Sequence, residues 1–202
     1  MPEFSKNWEQ REKAPAQSGP LKPAIDNAIK LISAQTQRLD IANNKLMEKD
    51  RQIFQKVVDL YSKHDRSRAL MYANELAEVR KLAKRVTQIK LALETISLRL
   101  TTVKDYGDFV NTVTPAISIL KGVQSNVFQI VPEAEKGFNF LSESLSSIVT
   151  EVGAPSDLNV SVETANEDAS RILSEAATVA EQKIREKFPE LPADVPREGI
   201  EI

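Results

Sequence analysis

The side chains that could do covalent or metal chemistry are few in this chain. One histidine and no cysteine occur among its 202 residues, so thiolate catalysis, disulfides and cysteine-based metal clusters are excluded. His64 stands in the polar run Ser62-Lys63-His64-Asp65-Arg66 and reads as a solvated turn residue. There is no HExxH, no ExxH pair and no glycine-rich phosphate loop, and acidic pairs such as Glu133 and Glu135 read as ordinary helix surface. The chain therefore reads as not an enzyme, with no cofactor, no metal and no small-molecule substrate.

What remains to act is charge and apolar surface, and the charge is polarised along the chain. Residues 1–104 hold 20 Lys and Arg against 12 Asp and Glu, whereas residues 105–202 hold 7 against 17, within an overall net charge of −2. A basic first half either meets an anionic surface or is covered by its own acidic second half. Plain head-to-tail attraction between copies is the third account. On the first predicted helix Lys30, Arg38, Lys45 and Arg51 fall away from the apolar seam, and on the second Arg80, Lys81, Lys84 and Arg85 cluster within six residues. Near anionic lipid each such cation gains about 1 kcal/mol, and copies along a polymer multiply the effect. A solvated helix face is the competing account of the same residues.

Long helices must present these charges. From Ala24 to Tyr106 there is no glycine and no proline, residues that cost a helix interior roughly 1 and 3 kcal/mol relative to alanine. Ile25, Ile32, Leu39, Leu46, Ile53 and Leu60 recur every seven residues, with Ile29 and Val57 at the intervening position and the polar Thr36, Asn43 and Asp50 at its other places. Met47, Phe54 and Tyr61, again seven apart, form a second apolar row. The spacing continues through Ala69, Tyr72, Leu76, Val79, Ala83, Val86, Ile89, Leu93, Ile96, Leu100 and Val103, with Asp65 as N-cap of this second helix. Two such helices joined by a tight turn lie antiparallel, each about 60 Å long at 1.5 Å per residue. The expected fold is all-α: a long antiparallel helical hairpin over 24–106 followed by shorter helices over 107–152, elongated, with a flexible tail at 1–23.

Downstream, Thr114-Pro115 reads as N-cap and first residue of a helix carrying Ile117, Leu120, Val127 and Ile130. Pro132 opens another, with Phe138, Leu141, Leu145, Ile148 and Val152, stopped by Gly153. Residues 153–161 read as a linker and 162–187 as an acidic amphipathic helix with Ile172, Ala176, Val179, Ala180 and Ile184 on one face. Residues 188–202 contain three prolines within nine residues and read as a non-helical tail. No stretch approaches the roughly 18 apolar residues of a membrane span, and Met1 to Lys13 carries charge throughout instead of a secretory signal.

A basic hairpin, two shorter helices, a linker, an acidic helix and a proline-containing tail resembles the ESCRT-III (Snf-type) family, and most of all its short archaeal cell-division members of the CdvB type. The resemblance covers roughly residues 20–200 and rests on layout, charge polarity and tail. It implies a cytoplasmic, non-catalytic subunit that polymerises with itself and with paralogues into filaments on the inner face of the cell membrane at the division site. Such filaments constrict membrane and are remodelled by an AAA ATPase whose MIT domain grips the tail. In Phe188-Pro189-Glu190-Leu191-Pro192-Ala193-Asp194-Val195-Pro196, apolar residues alternate with prolines as in the extended MIT-interacting motif. A proline-rich strand is already extended, so little chain entropy is lost on docking. Phe188, Pro189, Leu191, Pro192, Val195 and Pro196 are the expected ATPase-binding residues. A terminus with chance prolines is the bland alternative.

The resemblance also implies that Phe4 and Trp8, four apart beside Lys6 and Arg11, form an amphipathic turn entering the bilayer interface, although Glu3, Glu9 and Glu12 oppose this. It further implies a hinge at Gly107 and Pro115, with the acidic helix covering the hairpin in a closed state. Two readings compete with the family. A non-polymerising coiled-coil scaffold would form a fixed dimer. A nucleic-acid binder would use the basic half, but seven Phe, three Tyr and one Trp leave little for base stacking, so nucleic acid is not an expected partner.

Overall fold

The computed structural model describes residues 21–106, 109–151 and 158–190, and every regular element among them is helical. Helix α1 is Leu21–Ser62, α2 is Arg66–Tyr106, α3 is Phe109–Ile130, α4 is Glu135–Glu151 behind a single 3-10 turn at Pro132–Ala134, and α5 is Leu158–Lys187.

Helices α1 and α2 form the expected hairpin. The turn between them is closed by Asp65 N–H donating to the Leu60 carbonyl at 3.0 Å and His64 N–H donating to the Tyr61 carbonyl at 3.0 Å. This pairing ends a helix on a left-handed residue, and His64 takes that place with φ 58°. Asp65 then caps α2, its Oδ1 accepting from the Arg68 N–H at 3.2 Å. His64 is exposed and its backbone, more than its imidazole, is what the fold uses.

The hairpin has two zones. Toward the open end, α3, α4 and α5 pack on it, and one core joins all five helices through Ile25, Ile32, Leu93, Ile119, Leu141 and Ile172. Toward the turn, the core of Ile53, Val57, Ala73, Leu76 and Val79 is built from α1 and α2 alone, with Phe54, Tyr61 and Tyr72 half-buried beside it. The middle is joined by a small cluster in which Ala83, Ile184 and Phe188 pack against Leu46 and Met47.

Three boundaries differ from the sequence reading. Helix α1 starts at Leu21 instead of Ala24, because Pro23 lies in the first turn, where its missing N–H would have had no partner. Helix α5 starts at Leu158, inside the segment read as linker, and Val179 is exposed, not on the buried face with Ile172, Ala176, Ala180 and Ile184. Pro115 does not open a helix. It lies inside α3, in its second turn, and is buried. Removing one N–H there costs a single bond to the preceding turn. The neighbours Val113, Ala116, Ile119 and Leu120, each at most 3% exposed, hold the turn in place by packing. Among the described residues Pro115 is therefore continuous helix. Gly107, the other half of the expected hinge, lies outside them.

Candidate interaction site where the chain's end meets the hairpin

Asp50 belongs to the seam of α1, one of the polar positions in its seven-residue repeat, and it is 1% exposed. A carboxylate so placed needs a cation. Arg80 supplies it from α2, donating from Nε to Asp50 Oδ1 at 2.7 Å, and is itself buried. The Arg80 guanidinium has donors to spare. Nη2 donates to the Pro189 carbonyl at 2.8 Å, and the guanidinium carbon stands 5.4 Å from the centre of the Phe188 ring. One buried cation thus ties α1, α2 and the chain beyond α5 together. The second carboxylate oxygen of Asp50 is buried without a hydrogen-bond partner, so the node depends on Arg80 for neutralisation.

Helix α5 reaches this node along a ladder of polar contacts with α2. Asp168 approaches Arg99 at 4.0 Å, Gln88 donates to the Leu173 carbonyl at 3.2 Å, and Lys84 Nζ donates to Glu181 at 3.3 Å. Residue numbers rise along α5 as they fall along α2, so α5 runs antiparallel to α2 and parallel to α1. The hydrogen bond from Lys84, then its charge and that of Arg185, hold the Glu181 carboxyl below its ordinary value of 4.5. Elsewhere in the hairpin, Lys90 Nζ meets Asp40 at 2.5 Å. Desolvation pulls the Lys90 pKa down, but the hydrogen bond and charge of Asp40, helped by Glu94, raise it above 10.5.

The expected membrane-facing cations separate. Lys30, Arg38, Lys45, Arg51, Lys81 and Arg85 are exposed, and Lys84 is half-buried in its contact with α5. Arg80 leaves this set, because its charge is spent inside the protein on Asp50. Arg38 and Lys45 border an open groove of about 470 Å³ between α1 and the α3–α4 turn, floored by Leu46, Leu82 and Val131. Arg38 donates weakly to the Glu133 carbonyl there, at 3.4 Å. Of the expected ATPase-binding residues, Phe188 is buried against the hairpin and Pro189 gives its carbonyl to Arg80, so these two are engaged within the molecule. Leu191, Pro192, Val195 and Pro196, with Phe4 and Trp8, lie outside the described residues.

Sequence reasoning missed Asp50 and Glu181 as functional partners. A signal for the first was present: Asp50–Arg80 and Asp40–Lys90 are 30 and 50 residues apart and are both centred on residue 65, the turn. Opposite charges equidistant from a hairpin turn meet across its seam. Among the described residues no group of side chains could hold a metal ion, and no helix is long and apolar enough to cross a membrane.

No family model matches the chain, and no solved structure matches it. Curated proteins do match, two of them from one archaeon. Cell division protein B1 of Sulfolobus acidocaldarius is 38% identical over 193 residues, covering 95% of this chain and 90% of that protein. Cell division protein B of the same organism is 34% identical over 172 residues, which cover 85% of this chain and 66% of the longer relative.

Proposed function

Because this chain belongs to the archaeal cell division protein B family, we propose that it serves cell division as a non-catalytic subunit that assembles on membrane. In this reading copies of the chain and its paralogues polymerise on the inner face of the cell membrane, constrict it, and are taken apart by an AAA ATPase that grips the tail. The exposed cations Lys30, Arg38, Lys45, Arg51, Lys81 and Arg85 supply the attraction to anionic lipid. The acidic helix α5 acts as a cover that is displaced on assembly, and the segment around Gly107 gives the bend.

The observation that carries this reading is the docking of α5 on the basic hairpin through Lys84–Glu181, Arg99–Asp168 and the Arg80–Pro189 contact. The last turns of α5 are held by the Lys84–Glu181 pair and one small apolar cluster, whereas Ala169, Ile172 and Ala176 sit in the common core, so displacement of the cover starts at the C-terminal end of α5. The test is negative-stain electron microscopy with anionic liposomes, comparing the full chain, residues 1–160, and the full chain with Glu181→Lys and Phe188→Ser. Filaments or tubulated liposomes, more abundant in both altered forms, are the expected result. Smooth liposomes with discrete small oligomers in all three would replace this reading with a coiled-coil scaffold.

A further inference from the structure

We infer that the open groove between α1 and the α3–α4 turn, bordered by Arg38 and Lys45, is a docking site for an acidic amphipathic helix of a partner protein. The inference goes beyond the assembly reading and gives two of the six cations named there a second ligand.

Unanswered charge is the first argument. Where other hairpin cations face a second helix they hold a carboxylate, as Lys49 does with Glu75, Lys84 with Glu181 and Lys90 with Asp40. Arg38 and Lys45 line the groove and hold no carboxylate among the described residues. Arg38 reaches only neutral acceptors, Gln35 Oε1 and the Glu133 carbonyl, each at 3.4 Å. Glu133 is the one acidic residue lining the groove, which therefore keeps a net positive charge.

The floor and the spacing decide the occupant. Leu46, Leu82 and Val131 line the groove, and so does Ile41, which is 57% exposed. Its volume of about 470 Å³ lies within the roughly 300–1,000 Å³ of ligand sites. Along α1, Arg38, Ile41, Ala42 and Lys45 stand at i, i+3, i+4 and i+7, which is one face of a helix. The two cations are thus about 10.5 Å apart along the axis, with only apolar side chains on that face between them. A helix with Asp or Glu at i and i+7 and large apolar side chains at i+3 and i+4 repeats this row with the opposite charge. Ala42 is small and lets such a helix approach closely. A lipid headgroup is polar throughout and would leave the apolar floor uncovered, so the pattern favours the helix. The chain's own acidic helix is not the occupant, because no described residue of α5 lines the groove.

Fluorescence anisotropy on the full chain tests this. The ligand is a labelled alanine- and glutamine-based peptide of about 16 residues, long enough to be helical, with Glu at i and i+7 and Leu at i+3 and i+4. It should bind saturably, and Arg38→Glu with Lys45→Glu should weaken binding at least tenfold. Lys63→Glu with Arg66→Glu, the same charge change at the hairpin turn, should alter it less than twofold, and Glu133→Gln should tighten it. No saturable binding would overturn the proposal. So would equal losses from the two charge reversals, or equal binding of a peptide whose two Glu are moved to the face opposite the Leu pair. Two further assays identify a different occupant. If the parent ignores the peptide while Arg38→Glu with Lys45→Glu abolishes co-sedimentation with phosphatidylglycerol-containing vesicles, the groove belongs to lipid. If that variant instead abolishes self-association by light scattering, it belongs to a second copy. Either result sinks the partner helix, whereas peptide binding without filaments would sink only the assembly reading.

Discussion

At the scale of single residues, the Asp50–Arg80 pair is the most consequential feature of the hairpin. Arg80→Ala leaves a buried carboxylate without its cation, a change that costs about 3–5 kcal/mol. Chemical denaturation should read that loss, whereas Asp50→Leu with Arg80→Met, which removes both charges, should stay near the parent stability. Equal destabilisation by the single and the double variant would show that the pair matters through packing alone. In the sequence Arg80 stands among Lys81, Lys84 and Arg85 and is indistinguishable from them by type. Its burial follows from a partner 30 residues away, and only the register of the hairpin exposes it. Asp65, by contrast, was legible as an N-cap because capping is local and acts through the next three residues.

At the scale of elements, two contacts set how helices seat on the hairpin. Gly137, in the first turn of α4, lets the carboxamide end of the buried Gln35 of α1 lie where a Cβ would stand. Gly137→Ala should therefore push the Gln35 carboxamide aside at a net cost of about 1 kcal/mol or less, since alanine is also the better helix former, and Gln35→Ala should remove that cost, as a denaturation double-mutant cycle would show. The seating of α5 responds to acid. Glu181 titrates below 4.5 in the folded chain, so its pairing with Lys84 contributes stability that is full above about pH 4.5. That contribution is lost as pH falls through the lower folded value. Hydrogen exchange at residues 181–188 should accelerate in that acid window beyond the intrinsic pH effect, and Glu181→Gln should abolish the acid step. The Lys90 pairing has the opposite sign, present below pH 10.5 and lost above it.

The hairpin was readable from its unbroken seven-residue repeat, which is a property of chemical type and spacing. The path through Pro115 was not. Threonine followed by proline satisfies the rule for a helix start, and what overrides it is burial of Val113, Ala116, Ile119 and Leu120 against elements distant in sequence.

At the scale of the whole molecule, the two-zone hairpin divides labour. The end packed by α3, α4 and α5 buries large aliphatic side chains from all five helices, while the end near the turn has only its own seam and half-buried aromatics. The charge polarity of the sequence maps onto this arrangement as basic hairpin and acidic cover, meeting at Lys84–Glu181 and Arg99–Asp168. Sequence alone left open whether the acidic half would find its own hairpin or another copy's. The apolar positions Ile172, Ala176 and Ala180 of α5 settle this within the folded chain, since they are buried against its own helices.

The contact between Arg80 and Pro189 also has a meaning in time. Its two ends are separated by 109 residues of chain, whereas the hairpin contact of Arg80 with Asp50 spans 30. A chain emerging from the ribosome at about 5–20 residues per second has its whole hairpin, to Tyr106, well before Pro189 exists, leaving an interval of about 4–17 s. Every newly made molecule thus passes through a stage with its basic arm bare, before it has the means to shield it.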